Sequence, residues 1–273
     1  MTTVAGPDRF AFGENWRRFL SVVDEHRIGE AEKSLVDMLG RPRLDGLRFL
    51  DVGSGSGLFS LAAWRLGATV HSFDFDPASV ACTREMKRRF AGDDPRWTVE
   101  RGSALDADYL RRLGAADIVY SWGVLHHTGA MHRAMELVAG LVAPGGTLYI
   151  SLYNDQGWQS RVWHFVKRIY NLLPGPLRFI VVAPVMALLW GPAVVSDLVH
   201  GRPFATFRQY SSTRGMSPWH DLIDWVGGYP FEVARPDDVV RFYKHLSFDL
   251  QTLTRRNGLG CNEFVLRSLI PSS

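Results

Sequence analysis

The stretch over residues 49–77, "FLDVGSGSGLFSLAAWRLGATVHSFDFDP", sets glycine at 53, 55 and 57 between a run of apolar residues and a helical pattern. No other feature limits the fold of this chain as strongly. A strand that passes into a helix through residues without β-carbons lets a ligand approach the backbone, and the first helical turn adds N–H groups that lack intrahelical partners. The alternation departs from the G-x-G-x-x-G of dinucleotide binders, whose third glycine position is Leu58 here. An acid, Asp74, closes the next apolar run, where its paired oxygens can accept hydrogen bonds from both hydroxyls of a ribose.

The surrounding pattern is that of a doubly wound α/β fold. Apolar residues recur at helical intervals over residues 16–39, and Gly40 with Pro42 ends that segment. "LRFLDVG", "ATVHSFDFD", "WTVERG", "DIVYSW" and "TLYISLY" read as five strands, with helices over residues 58–66 and 77–89 and along "VLHHTGAMHRAMELVAGLV". Such alternation implies a parallel sheet covered on both faces, with ligands along the edge where the strands end. After Tyr153 the rhythm fails. Residues 154–228 are aromatic, apolar and broken by Pro and Gly; "PDDVVRFYKHL" restores a helix, and "FDLQTLTRR" with "CNEFVLRS" reads as a closing hairpin.

Within this frame, Asp76 stands before Pro77 and suits a helix N-cap better than a ligand contact. Phe75 either covers a purine face or packs at the sheet edge. The fourth strand runs into "SWGVLHH". Taken together, the alternating glycines after Asp51, Asp74, "DIVYSWGVLHH" and "APGG" resemble a class I S-adenosylmethionine-dependent methyltransferase. Over residues 16–153 the chain is most similar to the ubiquinone-biosynthesis O-methyltransferases, which carry Leu-Glu-His where this sequence has "VLHH".

That resemblance implies a Rossmann-like seven-stranded methyltransferase sheet with a closing antiparallel hairpin and a helical apolar cap insert. The implied division is a helical lid (1–46), a cofactor-binding core (47–153), the cap insert (154–233) and a terminal helix and hairpin that complete the core (234–273). It further implies that S-adenosyl-L-methionine is held by Arg27, Asp51, Gly53, Ser54, Gly55, Gly57, Asp74, Phe75, Ser103, Ala104, Ser121 and Trp122, with Arg27 on the cofactor carboxylate. His127 matches the family's histidine and is the first candidate for general base, His126 the second; imidazole suits proton removal from an oxygen nucleophile near neutral pH. Two positions depart from the family. Ser103 replaces the acid that meets the adenine amino group, leaving Asp106 or the Ala104 amide to compensate, and His126 replaces the glutamate beside the histidine. His220, Asp221, Tyr153 and Asn154 are further polar candidates, and Trp219 and Trp225 form either an aromatic wall or core packing.

Composition narrows the partners. Net charge is +3, but the basic residues are scattered and "KRR" at 87–89 is the densest cluster, so no nucleic acid is expected. Cys82 and Cys261 lie far apart without neighbouring ligands, which points to a reducing compartment and no metal. The amino-terminal residues lack a charged segment followed by an apolar one, so the expected location is cytoplasmic. "FIVVAPVMALLWGPAVVS" carries no charge, and Pro184, Gly191 and Pro192 predict two short apolar helices rather than one. With Lys167, Arg168, Arg178 and Arg202 around it, the region over 172–199 fits peripheral contact with the inner face of a membrane, or an oligomer interface nearly as well. The expected reaction is O-methylation of a lipophilic or aromatic small molecule; a glycan or secondary-metabolite acceptor and a non-catalytic cofactor-binding role are the alternatives.

Overall fold

A computed structural model describes residues 20, 23–203, 205–206 and 218–271, apart from the side chains of residues 218, 220, 221 and 224. The start of the leading segment, Trp16 included, and the side chains of His220 and Asp221 thus lie outside the described residues. From Glu25 the leading segment is helix α1 (Glu25–Leu39), capped by Asp24, whose side chain accepts from the Arg27 N–H, and closed by Gly40 at φ 64°.

The core then alternates: β1 (Arg48–Val52), α2 (Leu58–Arg65), β2 (Thr69–Asp74), α3 (Pro77–Phe90), β3 (Trp97–Arg101), α4 (Ala107–Leu113), β4 (Ala116–Trp122), a 3-10 turn (Leu125–His127), α5 (Met131–Ala139) and β5 (Val142–Tyr153). Among the described residues there follow α6 (Trp158–Leu172), α7 (Phe179–Val199) and α8 (Pro218–Gly227), and then α9 (Pro236–His245), β6 (Phe248–Thr254) and β7 (Cys261–Ser268). The seven strands form one sheet in the order β3-β2-β1-β4-β5-β7-β6. The first five are parallel; β7 runs antiparallel to both β5 and β6. Chain order reverses between β1 and β4, so the exits of these two strands flank a crevice of the kind in which open α/β sheets bind ligands.

Alternation along β1 assigns its residues to the two faces. Phe49 joins Ile28, Leu35, Leu61 and Met86 under α1, α2 and α3, whereas Leu50 and Val52 join Leu110, Met135, Val138 and Tyr243 under α4, α5 and α9. A smaller apolar core of Tyr170, Val182, Val185, Leu222 and Val226 seats α7 and α8 on α6.

Two expected elements differ. The single helix read from "VLHHTGAMHRAMELVAGLV" is broken: the Thr128 hydroxyl donates to the Leu125 carbonyl and accepts from the Ala130 N–H, and Gly129 takes φ 75°. Those bonds and the left-handed residue stop the 3-10 turn before α5 begins. Conversely, α7 is one helix through both Pro184 and Pro192. Each proline removes the bond to the carbonyl four residues back, at Ile180 and Leu188, and all four residues are exposed, so the ring and the released carbonyl both lie on the outer face.

Candidate active site at the exits of β1, β2, β4 and β5

The glycine turn is built by backbone handedness before any ligand is considered. Gly53, Gly55 and Gly57 have φ of 83°, 54° and 79°, a region costly for residues with a β-carbon. At Gly53 a β-carbon would also fall within 3.0 Å of the Val124 side chain, and at Gly57 within 3.2 Å of Thr83. Packing against the segment after β4 and against α3 therefore adds a second demand for glycine, beside access to the backbone.

Side chains then fix the turn. The Thr83 hydroxyl donates to the Gly55 carbonyl at 3.1 Å, so the 2.9 Å contact between the two hydroxyls has Ser54 as donor. Asp74 accepts from the Gly55 N–H at 3.0 Å and, with its other oxygen, from the Asp76 N–H at 2.9 Å. The Phe75 N–H adds a third, weaker backbone donor, so the four lone-pair directions of the carboxylate keep room for a ribose hydroxyl. Burial raises the Asp74 carboxyl to about 6 against these N–H bonds, which lower it. Asp51 lies deeper, 2% exposed, and accepts a short bond from the Ser60 hydroxyl, which also meets Ser72 at 2.7 Å. Burial pushes its carboxyl to about 7, with Ser60 opposing and the Asp74 charge adding to the rise.

The other residues expected to hold cofactor surround this turn on neighbouring elements. The Ser121 hydroxyl donates to the Val52 carbonyl at 3.0 Å and ties the exits of β1 and β4 together, leaving Trp122 45% exposed at the strand end. Beyond β2, Phe75 is half-buried, its carbonyl accepting from Arg101, whose guanidinium lies 5.9 Å from the ring centroid. Ser103 accepts from the Leu105 N–H, and Ala104 is buried. Asp106 caps α4, its Oδ1 accepting from the N–H groups of Asp108 and Tyr109. Asp76 caps α3 through the Ala78 N–H. Arg27 pairs with Asp24 at 2.8 Å rather than with Glu30.

A second cluster stands at the exits of β4 and β5. His127 Nδ1 lies 2.6 Å from the Pro230 carbonyl, which only accepts, so Nδ1 carries the proton and Nε2 the lone pair of the neutral ring. His126 is fully buried, its ring centroid 3.9 Å from that of Tyr153 and 4.5 Å from that of His127. Burial, followed by the charges of His127 and Lys167, lowers its basicity well below the usual histidine range. Segment 230–234 roofs this cluster: the Glu232 N–H donates to the His126 carbonyl and the Ala234 N–H to the Tyr153 carbonyl. The Glu232 carboxylate accepts from the Met131 N–H and so caps α5, whose own N-cap residue, Ala130, has no side-chain acceptor. Of the expected pair of tryptophans, Trp225 packs on Tyr153, Trp163 and Phe231, whereas Trp219 is 49% exposed. Asn154 turns away to the hairpin, donating to the Arg256 carbonyl and accepting from Asn262.

Pro230, Phe231 and Glu232 escaped the sequence reading, and Lys167, expected there as a cationic residue flanking the apolar stretch at a membrane, is instead fully buried, its Nζ over the Trp225 and Phe231 rings. Lys167 left a signal there: it falls four residues after Trp163 and three before Tyr170, a core position of an amphipathic helix. Two cavities, of about 470 Å³ beside α9 and about 320 Å³ between α6 and α7, lie away from both clusters.

Comparison with known proteins decides the family. The methyltransferase domain profile matches residues 23–175, more than half of the chain and the whole of the glycine turn, Asp74 and the paired histidines. The chain belongs to the methyltransferase domain family. Among curated relatives, a ubiquinone biosynthesis O-methyltransferase of Escherichia coli is 33% identical over 116 residues, 42% of this chain and 46% of the relative. Its counterpart in Brucella ovis is 30% identical over 119 residues, 41% and 43% of the two chains. The chain thus spans less than half the length of the curated relatives it matches. In fold, it is similar to magnesium protoporphyrin IX methyltransferase from Synechocystis crystallised with SAM, at 13% identity and TM-score 0.57 over 98% of this chain and 100% of that one. It is also similar to an O-methyltransferase family protein from Burkholderia thailandensis, at 15% identity and TM-score 0.54 over 98% and 67%. These methyltransferases share its α/β fold.

Proposed function

We propose that this protein moves a methyl group from S-adenosylmethionine to an oxygen of a lipophilic or aromatic small molecule, at a membrane surface that it meets through residues 172–199. The observation that carries the reading is Asp74, held by the Gly55 and Asp76 N–H groups on its two oxygens beside a turn of three left-handed glycines. A half-buried carboxylate next to bare backbone fits an adenosyl ribose, and the curated relatives are named O-methyltransferases. S-adenosylmethionine supplies a methyl on a positively charged sulfur, so the reaction needs positioning more than charge stabilisation.

The chain's own residues supply the rest. The Pro230 carbonyl fixes the His127 tautomer, and Nε2 takes the proton of the acceptor hydroxyl as general base. His126, buried and neutral, orients His127 and Tyr153 rather than exchanging protons itself. Trp122, exposed at the end of β4, shields the reacting groups from water. Support for membrane contact comes from the stretch Gly175–Val199, long and apolar enough to cross a membrane yet attached on one side to α6 and α8 through Val182 and Val185. Its outer face shows Phe179, Ile180, Leu188 and Val195, and Arg161, Arg168 and Arg202 are exposed around it. That pattern suits a helix lying in the interface of an anionic bilayer.

The test is incubation of the purified protein with methyl-labelled S-adenosylmethionine and a total lipid extract. Label should pass to an alkali-stable component of the organic phase; label confined to the aqueous phase, with native protein that binds the cofactor, counts against the lipophilic acceptor.

A further inference from the structure

The strap 230–234 lies over the 3-10 turn that follows β4 and is tied to it at three points. The Pro230 carbonyl accepts from His127 Nδ1–H at 2.6 Å, and the Glu232 N–H donates to the His126 carbonyl at 3.0 Å. The third tie is a side chain: both carboxylate oxygens of Glu232 accept from the Met131 N–H, at 3.1 and 3.0 Å. The Gly129 N–H is a further, weaker donor to the same carboxylate. Gly129 also supports the strap sterically, since a β-carbon there would fall 3.3 Å from Pro230 Cγ.

The backbone ties, to His126 and farther along between Ala234 and both Tyr153 and Asp155, place few demands on residue type. The carboxylate tie depends on one residue. Met131 opens α5, whose N-cap residue, Ala130, has no side-chain acceptor, so the first-turn donors and the positive end of the helix dipole favour an anion there. Glu232 supplies it from the strap, two residues after Pro230. Its charge therefore bears on where the Pro230 carbonyl sits. That carbonyl in turn decides which nitrogen of His127 keeps the proton: a free histidine side chain favours Nε2–H, whereas a base acting through Nε2 needs the proton on Nδ1.

Resting on the reading of His127 as general base, we propose that Glu232 is a positioning residue for methyl transfer: by clamping the strap to the start of α5 it keeps the Pro230 carbonyl on His127 Nδ1–H, and so the lone pair on Nε2. Glu232 acts through Pro230 and not on the reacting atoms. No proton passes through its carboxylate in this role.

The test follows the imidazole nitrogens of the full chain, isotope-labelled at histidine and saturated with S-adenosylhomocysteine, by proton–nitrogen correlation spectra at neutral pH. His127→Ala removes one set of signals and so assigns it. The wild type should show Nδ1 protonated and Nε2 bare at His127, and a proton on Nε2 instead overturns the proposal. Glu232→Ala should convert about half or more of the signal to the Nε2–H form and slow transfer of labelled methyl to the total lipid extract by about tenfold, with S-adenosylhomocysteine affinity kept. Glu232→Gln, whose amide oxygen still accepts from the Met131 N–H, should return most of the signal to the Nδ1–H form. A residue that only caps α5 would cost stability in Glu232→Ala and leave the tautomer alone, so an Nδ1–H pattern kept in that variant overturns the assignment. Should Glu232→Ala not fold, Glu232→Asp decides, its carboxylate one methylene short of α5: a mixed pattern is expected, and an unchanged one refutes the clamp. Transfer that survives His127→Ala counts against the base reading instead, and the tautomer in the Glu232 variants is read either way.

Discussion

Asp51 is the residue whose replacement is expected to stabilise this protein, and only above a defined pH. Its carboxyl is buried at the end of β1, with Ser60 as donor, and is raised from 3.8 to about 7. In the unfolded chain the same group is ionised above 3.8, so between these two values the folded state holds a proton that the unfolded state has released. The resulting stabilisation is complete below 3.8 and is lost as pH rises through 7. Each tenfold difference in proton affinity is worth about 1.4 kcal/mol, so the loss approaches about 4 kcal/mol, an upper bound for a group that relaxation or water can still reach. Asp51→Asn removes the charge and keeps the shape. Of that loss, about 1.6 kcal/mol has already occurred by pH 5, so urea unfolding of both proteins at pH 5 and pH 8.5 should show the wild type falling by up to about 2.7 kcal/mol relative to the variant. Asp74, raised to about 6, loses stability in the same direction in both proteins, so the difference reports Asp51 together with its repulsion from Asp74. Parallel profiles for the two proteins would refute the argument that the buried carboxylate is a cost at neutral pH.

Other consequences can be measured separately. Gly53→Ala combines a left-handed φ of 83° with the approach of Val124, and is expected to cost about 2–4 kcal/mol in thermal unfolding; Val124→Ala in the same chain should recover part of this, and no recovery would exclude the contact. His127→Ala should lower turnover by about 100-fold or more while S-adenosylhomocysteine affinity is kept, as measured by calorimetry, and retained turnover at neutral pH rejects the base. In liposome flotation, Leu188→Glu on the outer face of α7 should abolish association with anionic vesicles, and raised salt should weaken that of the wild type; binding that ignores both changes contradicts an interfacial helix.

What could be read in the sequence was whatever local chemistry decides. The strands of the parallel half are apolar runs bounded by turns, Asp76 before Pro77 is a helix start in any context, and the left-handed turn at Gly53, Gly55 and Gly57 has few other solutions. The closing hairpin was equally plain. What escaped depends on partners far along the chain. Pro184 and Pro192 read as breaks because the pattern does not show that the carbonyls they release face outward on an exposed helix. Glu232 caps α5 from a hundred residues downstream, and Pro230 orients His127 over a similar distance, so no spacing rule finds either. Lys167 was read as a cationic flank of the apolar stretch, because its burial between Trp225 and Phe231 follows only from the packing of α6 against α8.

The measurement that bears most directly on the account is calorimetric titration of S-adenosylhomocysteine into the wild type and into Asp74→Ala. The account predicts binding to the wild type and a loss of about 100-fold or more in the variant, with circular dichroism unchanged, because a carboxylate making a charge-assisted bond to the ribose is lost. Equal affinity in both proteins, or a wild type that ignores this compound and binds a nicotinamide dinucleotide, would contradict it.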